Sequence, residues 1–144
     1  MTTKKVNRYY CDFCKKSGGS AGHIKRHEKH CTNNINRECG VCKNALDKGQ
    51  SDLTKLIKIL PDAKEYLVED YSQPDRLKVD INKAILILRK ESGGCPACML
   101  AALRLSRIPL YLCDFDFKKE MADMWADINN KQQENDYRYQ SYGY

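Results

Sequence analysis

Three Cys-x-x-Cys pairs constrain this chain more than any other feature: Cys11/Cys14, Cys39/Cys42 and Cys95/Cys98. Two thiols separated by two residues can grip one ion from a single tight turn. The 144 residues contain no apolar run near the ~20 needed to span a bilayer, and nothing near Met1 reads as a secretory signal. An intracellular, reducing location is the expectation, and there eight cysteines point to metal rather than disulfides. At 42% hydrophobic and 31% charged, the chain reads as folded. Its length suits one domain or two small ones.

The first pair acquires two further ligands. Cys11, Cys14, His27 and Cys31 read C-x2-C-x12-H-x3-C. Thiolate sulfur and imidazole nitrogen suit tetrahedral zinc. His27 and Cys31 are one helical turn apart and share a helix face. The twelve-residue spacer is about long enough to return the chain against that helix. His30 competes as a ligand, but the spacings favour His27, leaving His23 and His30 for the surface.

The other two pairs form a second set, Cys39, Cys42, Cys95 and Cys98. Pro96 fits the first turn of a helix, where no N–H partner is lost. Met99, Leu100 and Leu103 continue an apolar helical face, so Cys95 and Cys98 are expected at a helix N-terminus, where the dipole favours thiolates. The set looks like a treble-clef or zinc-ribbon site with a long insertion, 52 residues between the pairs. Two separate dithiols, or a redox Cys-x-x-Cys, are the competing readings. The redox reading lacks its βαβ context. Two zinc ions are therefore the cofactors expected. Cys113, in the apolar run Pro109–Cys113, reads as a small buried hydrophobe.

Charge is concentrated at one end. Residues 1–31 carry eight basic side chains against Asp12 and Glu28, which accounts for the whole excess of +6. Such asymmetry predicts an anionic partner, most simply nucleic acid; the alternative is a solubilising arm.

Residues 9–31 resemble the C2H2-type zinc finger in its CCHC variant. The family's apolar residue three before the histidine is Ile24. Its aromatic after the second cysteine is replaced by Gly18, and Tyr9, Tyr10 or Phe13 are the candidates to fill that core. The family's helix geometry implies Ser20, His23 and Arg26 at base-reading positions, with Lys25 and Lys29 beside phosphates. The alternative is a finger that only folds the N-terminus or presents a surface to a protein. Residues 11–42, with the Ser-Ala-Gly-His run, the His-Glu pair, the Cys-Thr step and the following Cys-x-x-Cys, also resemble small zinc-finger proteins predicted from bacteriophage genomes. That resemblance implies a phage or bacterial source and no particular activity.

Between and after the sites the pattern is helical. Thr32–Glu38 is a polar bridge, expected to hold the two zinc units close together. Ser51 is the expected cap of a helix bearing Leu53, Leu56, Ile57 and Leu60, ended by Pro61. A short helix is expected through Tyr66 and Leu67. Pro74 opens a longer one with Leu77, Ile81, Ala84, Ile85 and Leu88 on one face, stopped by Gly93-Gly94. Its run Ala84–Leu88 is apolar all round, which predicts a buried element, as helix or strand. A last helix from near Asp116 carries Phe117, Met121, Met124, Trp125 and Ile128. Such a stripe docks on the parent core or on a protein partner.

Enzyme signatures fail at particular residues. His27-Glu28-Lys29-His30-Cys31 mimics H-E-x-x-H, but the second histidine position is Cys31. A zinc deaminase needs H-x-E and P-C-x-x-C, and here Glu28 directly follows His27 and Gly94 precedes Cys95. An HNH-type nuclease could house its active site in the long insertion, but no histidine follows His30. No Gly-rich phosphate loop, Ser-His-Asp set or carboxylate dyad is visible, so no enzyme activity is expected.

The expected architecture is mainly α with small zinc-stabilised β-knuckles. A ββα-like basic finger (1–31) and a bridge (32–38) precede a helical domain with the four-cysteine site (39–135). A Tyr-rich tail (136–144) is expected to be disordered. The expected function is DNA or RNA contact through the finger, as a phage regulatory or accessory protein, with no membrane role. The alternative is a protein-interaction or assembly factor in which zinc is purely structural and the Phe117–Ile128 stripe or the tyrosine tail meets a partner.

Overall fold

The computed structural model describes residues 1–62 and 74–142. The helix expected through Tyr66 and Leu67 lies outside the described residues.

The finger is assembled from very little chain. Strands β1 (Tyr9–Tyr10) and β2 (Ser17–Gly18) pair antiparallel, Tyr9 opposite Gly18 and Tyr10 opposite Ser17. Helix α1 (Ala21–His30) then packs on the hairpin. Ser20 starts it: its hydroxyl accepts the His23 N–H at 3.4 Å, satisfying one of the first turn's orphan donors. The buried residues here are Ile24, Cys11 and Cys31. The aromatics do not fill this core. Tyr9, Tyr10 and Phe13 are 38%, 64% and 44% exposed, because a hairpin two residues deep has room behind it only for Ile24 and the ligands.

The bridge folds back against the end of α1. Glu38 N–H donates to Lys29 O, Arg37 Nε to His30 O and Asn34 Nδ2 to Glu28 O. These bonds satisfy carbonyls that a helix C-terminus leaves open. Arg104 NH1 also donates to Thr32 Oγ1 at 2.9 Å, tying the bridge to the helical domain.

That domain contains α2 (Leu53–Ile59), α3 (Pro74–Glu91), α4 (Pro96–Leu105) and α5 (Phe117–Tyr142). Asp52, not Ser51, caps α2, its carboxylate accepting the Thr54 N–H at 3.0 Å. Ser51 is occupied elsewhere, as described below. Helix α3 ends in two left-handed glycines, Gly93 (φ 64) and Gly94 (φ 77). The Gly94 N–H bonds Arg89 O and the Gly93 N–H bonds Lys90 O, a Schellman closure that a side chain would strain.

Helix α4 is the centre, packed by α2, α3 and α5. Every residue from Pro96 to Leu103 is buried. Ala97, Ala101 and Ala102 keep its girth small, so neighbours approach from several sides. The helix expected to be buried all round was α3, and there the expectation fails. Ile81, Ala84, Ile85 and Leu88 face the core, but Leu86 and Ile87 are 65% and 53% exposed. On a helix those two point away from a stripe spaced i, i+3, i+4, i+7.

Asp116 opens α5, its Oδ1 accepting the N–H groups of Lys118 and Lys119. Met124 is buried and Met121 and Ile128 half-buried against the domain, while Phe117 and Trp125 are 37% and 46% exposed. An Arg89–Glu120 ion pair fastens α5 to α3. The helix then runs on through Tyr142, across positions expected to be disordered, and it is exposed from Asn129 to Gln140. No glycine or proline interrupts Phe117–Tyr142, and Lys131–Glu134 are all good helix formers, so nothing local stops it before Gly143.

Leu103 lies fully buried in α4. Leu103→Ala is expected to lower unfolding free energy by ~3 kcal/mol, within the range for cavity-forming core truncations. Urea denaturation would show a lower midpoint with zinc content unchanged. An unchanged midpoint would mean that α4 is not the core.

Two candidate metal centres

The fold gathers both predicted ligand sets. Cys11, Cys14, His27 and Cys31 place their ligand atoms within 4.8 Å of one another, and so do Cys39, Cys42, Cys95 and Cys98. Zn–S bonds of ~2.3 Å in a tetrahedron place sulfurs about 3.8 Å apart, so both sets fit one zinc ion each with small side-chain adjustments. The four protein ligands of each set complete a tetrahedron. Catalytic zinc instead keeps one position open.

The finger set is held from two sides. Its knuckle is a turn in which Cys11 N–H bonds Lys16 O, Phe13 N–H reaches Cys11 Sγ at 3.4 Å and Lys16 N–H reaches Cys14 Sγ at 3.4 Å. Such N–H···S bonds offset thiolate charge and orient the ligands. His27 projects from α1 with Nε2 3.2 Å from Cys14 Sγ, and Cys31 caps the same helix. Glu28 was missed as a contributor: its Oε1 accepts the Asp12 N–H at 2.9 Å, fastening knuckle to helix. The His-Glu step was visible only as a protease mimic, since nothing local showed that the knuckle lies above α1.

The electrostatics favour the metal-ready form at His27 and Cys14 and oppose it at Cys31. Desolvation, then the Lys16 charge, hold His27 below the ordinary imidazole value and keep a nitrogen lone pair available. Burial opposes ionisation of Cys14, but the Lys16 N–H and the Cys11 and Cys31 thiols outweigh it and hold its pKa down. Burial pushes the Cys31 thiol up.

The second set is enclosed, with all four cysteines at or below 2% exposure. Cys39 Sγ lies 3.5 Å from Cys95 Sγ, and Cys42 Sγ 3.5 Å from Cys98 Sγ. Cys95 is the N-cap of α4 with Pro96 at the first turn, as its sequence predicted. Cys42 N–H reaches Cys39 Sγ at 3.4 Å, and the chain continues into a helical turn, Val41–Ala45, rather than into strands. Hydrogen bonds from Cys95 and then Cys98 hold Cys39 far below the usual thiol value. The same bonds, with burial, push Cys95 up strongly and Cys98 up to about 12. Ionising Cys95 and Cys98 therefore calls for a cation that supplies the compensating charge.

Three supporting residues escaped the sequence reading. Gln50 clasps the Cys39 backbone, accepting its N–H at 2.6 Å and donating to its carbonyl at 3.1 Å. Ser51 Oγ sits 3.8 Å from Cys42 Sγ and receives Lys48 Nζ at 3.0 Å. Four thiolates around Zn(II) carry a formal charge of about −2, and Lys48 lies close enough to offset part of it. Cys113 joins neither set. It is half-buried, its thiol donates to Pro109 O at 3.7 Å, and burial and Asp114 push its pKa up to about 11, so it stays protonated.

The residues expected at nucleic acid fall on α1. The helix begins at Ala21, which puts Ser20 just before the start and His23 and Arg26 at its third and sixth positions. Ser20 spends its hydroxyl on the cap. His23, Lys25, Arg26 and Lys29 are exposed. Lys29 lies 3.9 Å from Glu38 Oε2 in the bridge, while Lys25 and Arg26 have no ion-pair partner among the described residues. Among the described residues no helix is long and apolar enough to cross a membrane. No family model matches the chain, and neither a curated protein nor a solved structure does.

Proposed function

We propose that this is a non-enzymatic nucleic-acid-binding protein, contacting DNA or RNA through its basic N-terminal finger. The observation that carries this reading is positional. The entire excess of +6 lies in residues 1–31, and α1 displays Lys25 and Arg26 free of ion pairs among the described residues. Two zinc-binding sets that each use four protein ligands support a structural role for the metal rather than a catalytic one. The resemblance of residues 11–42 to phage zinc-finger proteins supports a phage accessory or regulatory setting, inside the host cell.

Fluorescence-anisotropy titration across a salt series tests the reading. Log affinity is expected to fall linearly with log salt, by about 0.9 per phosphate contact on duplex DNA. Lys25→Ala/Arg26→Ala/Lys29→Ala, all exposed changes, is expected to flatten that slope by about 2–3 while the fold and zinc content persist. No binding at low salt by protein carrying two zinc ions would end this reading.

Exposed apolar residues favour a second reading, a protein-interaction or assembly factor. Leu86, Ile87 and Trp125 present large apolar surface to solvent. A factor of that kind self-associates or co-purifies with a protein, is indifferent to the lysine and arginine changes, and loses its partner with Leu86→Lys/Ile87→Lys.

A further inference from the structure

We propose that the outer face of the β1–β2 hairpin is a stacking platform for unpaired bases, so that the finger selects single-stranded nucleic acid over duplex. This rests on the nucleic-acid reading and deepens it by naming the substrate class.

Tyr10 and Phe13 are exposed on a unit whose buried core uses no aromatic, while Tyr9 lies on the opposite face of the strand, toward α1. A scattered exposed aromatic is ordinary. Here the aromatics alternate with cations, in the run Arg8-Tyr9-Tyr10, then Phe13, then Lys15-Lys16. Tyr10 is opposite Ser17 and shares its face of the hairpin. Arg8, two residues before Tyr10, reaches the same Ser17, its Nε 3.0 Å from Oγ. That bond holds a guanidinium on the Tyr10 side, where it can flank a stacked base or meet its phosphate.

Phe13 projects from the metal knuckle. Its own N–H is tied to Cys11 Sγ, so its backbone is fixed by the ligand turn. Rings presented from a metal-anchored turn lose little freedom on binding, which favours affinity. Lys15 and Lys16 follow as exposed charges. Aromatic faces beside a basic track are the chemistry by which single strands are bound without sequence readout. A duplex offers its phosphates to α1 but keeps its base faces stacked inside. An unpaired strand offers both.

The test compares four labelled ligands of equal phosphate number: oligothymidine, oligouridine, an abasic strand and a duplex. Zinc-loaded full-length protein is expected to bind a base-bearing strand roughly tenfold more tightly than the abasic strand. A preference for oligothymidine or for oligouridine identifies DNA or RNA, and either supports the platform. Tyr10→Ala/Phe13→Ala is expected to erase the advantage of bases while leaving the salt slope and two zinc ions per chain intact. Tyr10→Phe, which keeps a ring, is expected to retain the advantage. Equal binding of abasic and base-bearing strands, or parent-like binding by the double alanine variant, overturns the platform while leaving the nucleic-acid reading standing. Failure of the parent protein to bind any of the four overturns both.

Discussion

Replacing Cys98 by serine is expected to collapse the helical domain. The purified protein should carry one zinc ion instead of two and lose most of its helical circular dichroism. The reason is one of magnitude. A structural zinc site contributes roughly 10–16 kcal/mol of binding free energy, whereas a domain's whole stability is about 5–15 kcal/mol. The four cysteines are themselves part of the apolar core, packed with Leu56, Ile81, Leu88, Met99 and Leu103. They also tie the start of the domain to the N-terminus of α4, since Cys39 and Cys42 meet Cys95 and Cys98 across 52 intervening residues. Removing one ligand therefore releases the N-terminus of α4, the helix on which the others pack. Strong chelation should reproduce the loss. Unchanged dichroism and melting temperature, with one zinc verified absent, would show that the apolar core alone holds this domain.

His27→Ala is expected to have an effect just as large but confined to the other unit. Residues 9–31 should unfold, zinc should fall to one ion per chain, and the helical domain should survive. Without metal the finger has almost nothing to fold around. Its buried side chains are Ile24 and two of its own ligands, and its strands are two residues each. An isolated two-stranded hairpin is marginal at best, and α1, with ten residues, is shorter than the ~12–15 that an isolated helix needs. In two-dimensional amide NMR, resonances of residues 9–31 should lose dispersion while those of α2–α5 hold their positions. Nucleic-acid affinity should drop with them, because Lys25 and Arg26 lose the helix that sets their spacing. Retained dispersion over 9–31 in protein shown to have lost that zinc would mean that the finger folds without metal. The pair of substitutions also separates the units: each should leave the other's ion in place.

Much of this was readable in one dimension where the signal was local. The x12 and x3 spacings identify His27 over His30, and the structure sets His30 aside with its Nδ1 against Glu38 O. Pro96 marks the first turn of α4, Pro74 the start of α3, and Gly93-Gly94 its end. Each of these is a backbone constraint that acts through its immediate neighbours. The cap of α2 was misread by one residue, because Ser51 and Asp52 are equally good caps in isolation. Ser51 serves the cysteine cluster instead, a task set by Cys42 and Lys48 arriving beside it.

By itself the sequence determined the two ligand sets, the helical character of the chain and the basic end, because thiol spacing, apolar period and charge are properties of short stretches. Only the tertiary structure decided which helix is central. Ala84–Leu88 is a continuous apolar run, yet Leu86 and Ile87 face solvent, while the modest Pro96–Leu103 segment is buried on every side. Burial depends on what surrounds a helix, and small residues such as Ala101 and Ala102 matter because they let neighbours close in. The tertiary structure likewise left the finger's aromatics outside, since Ile24 and the cysteines already fill the small space behind the hairpin. It also brought Glu28, Gln50, Ser51 and Lys48 to the metal ligands, through contacts that form only once the chain has folded.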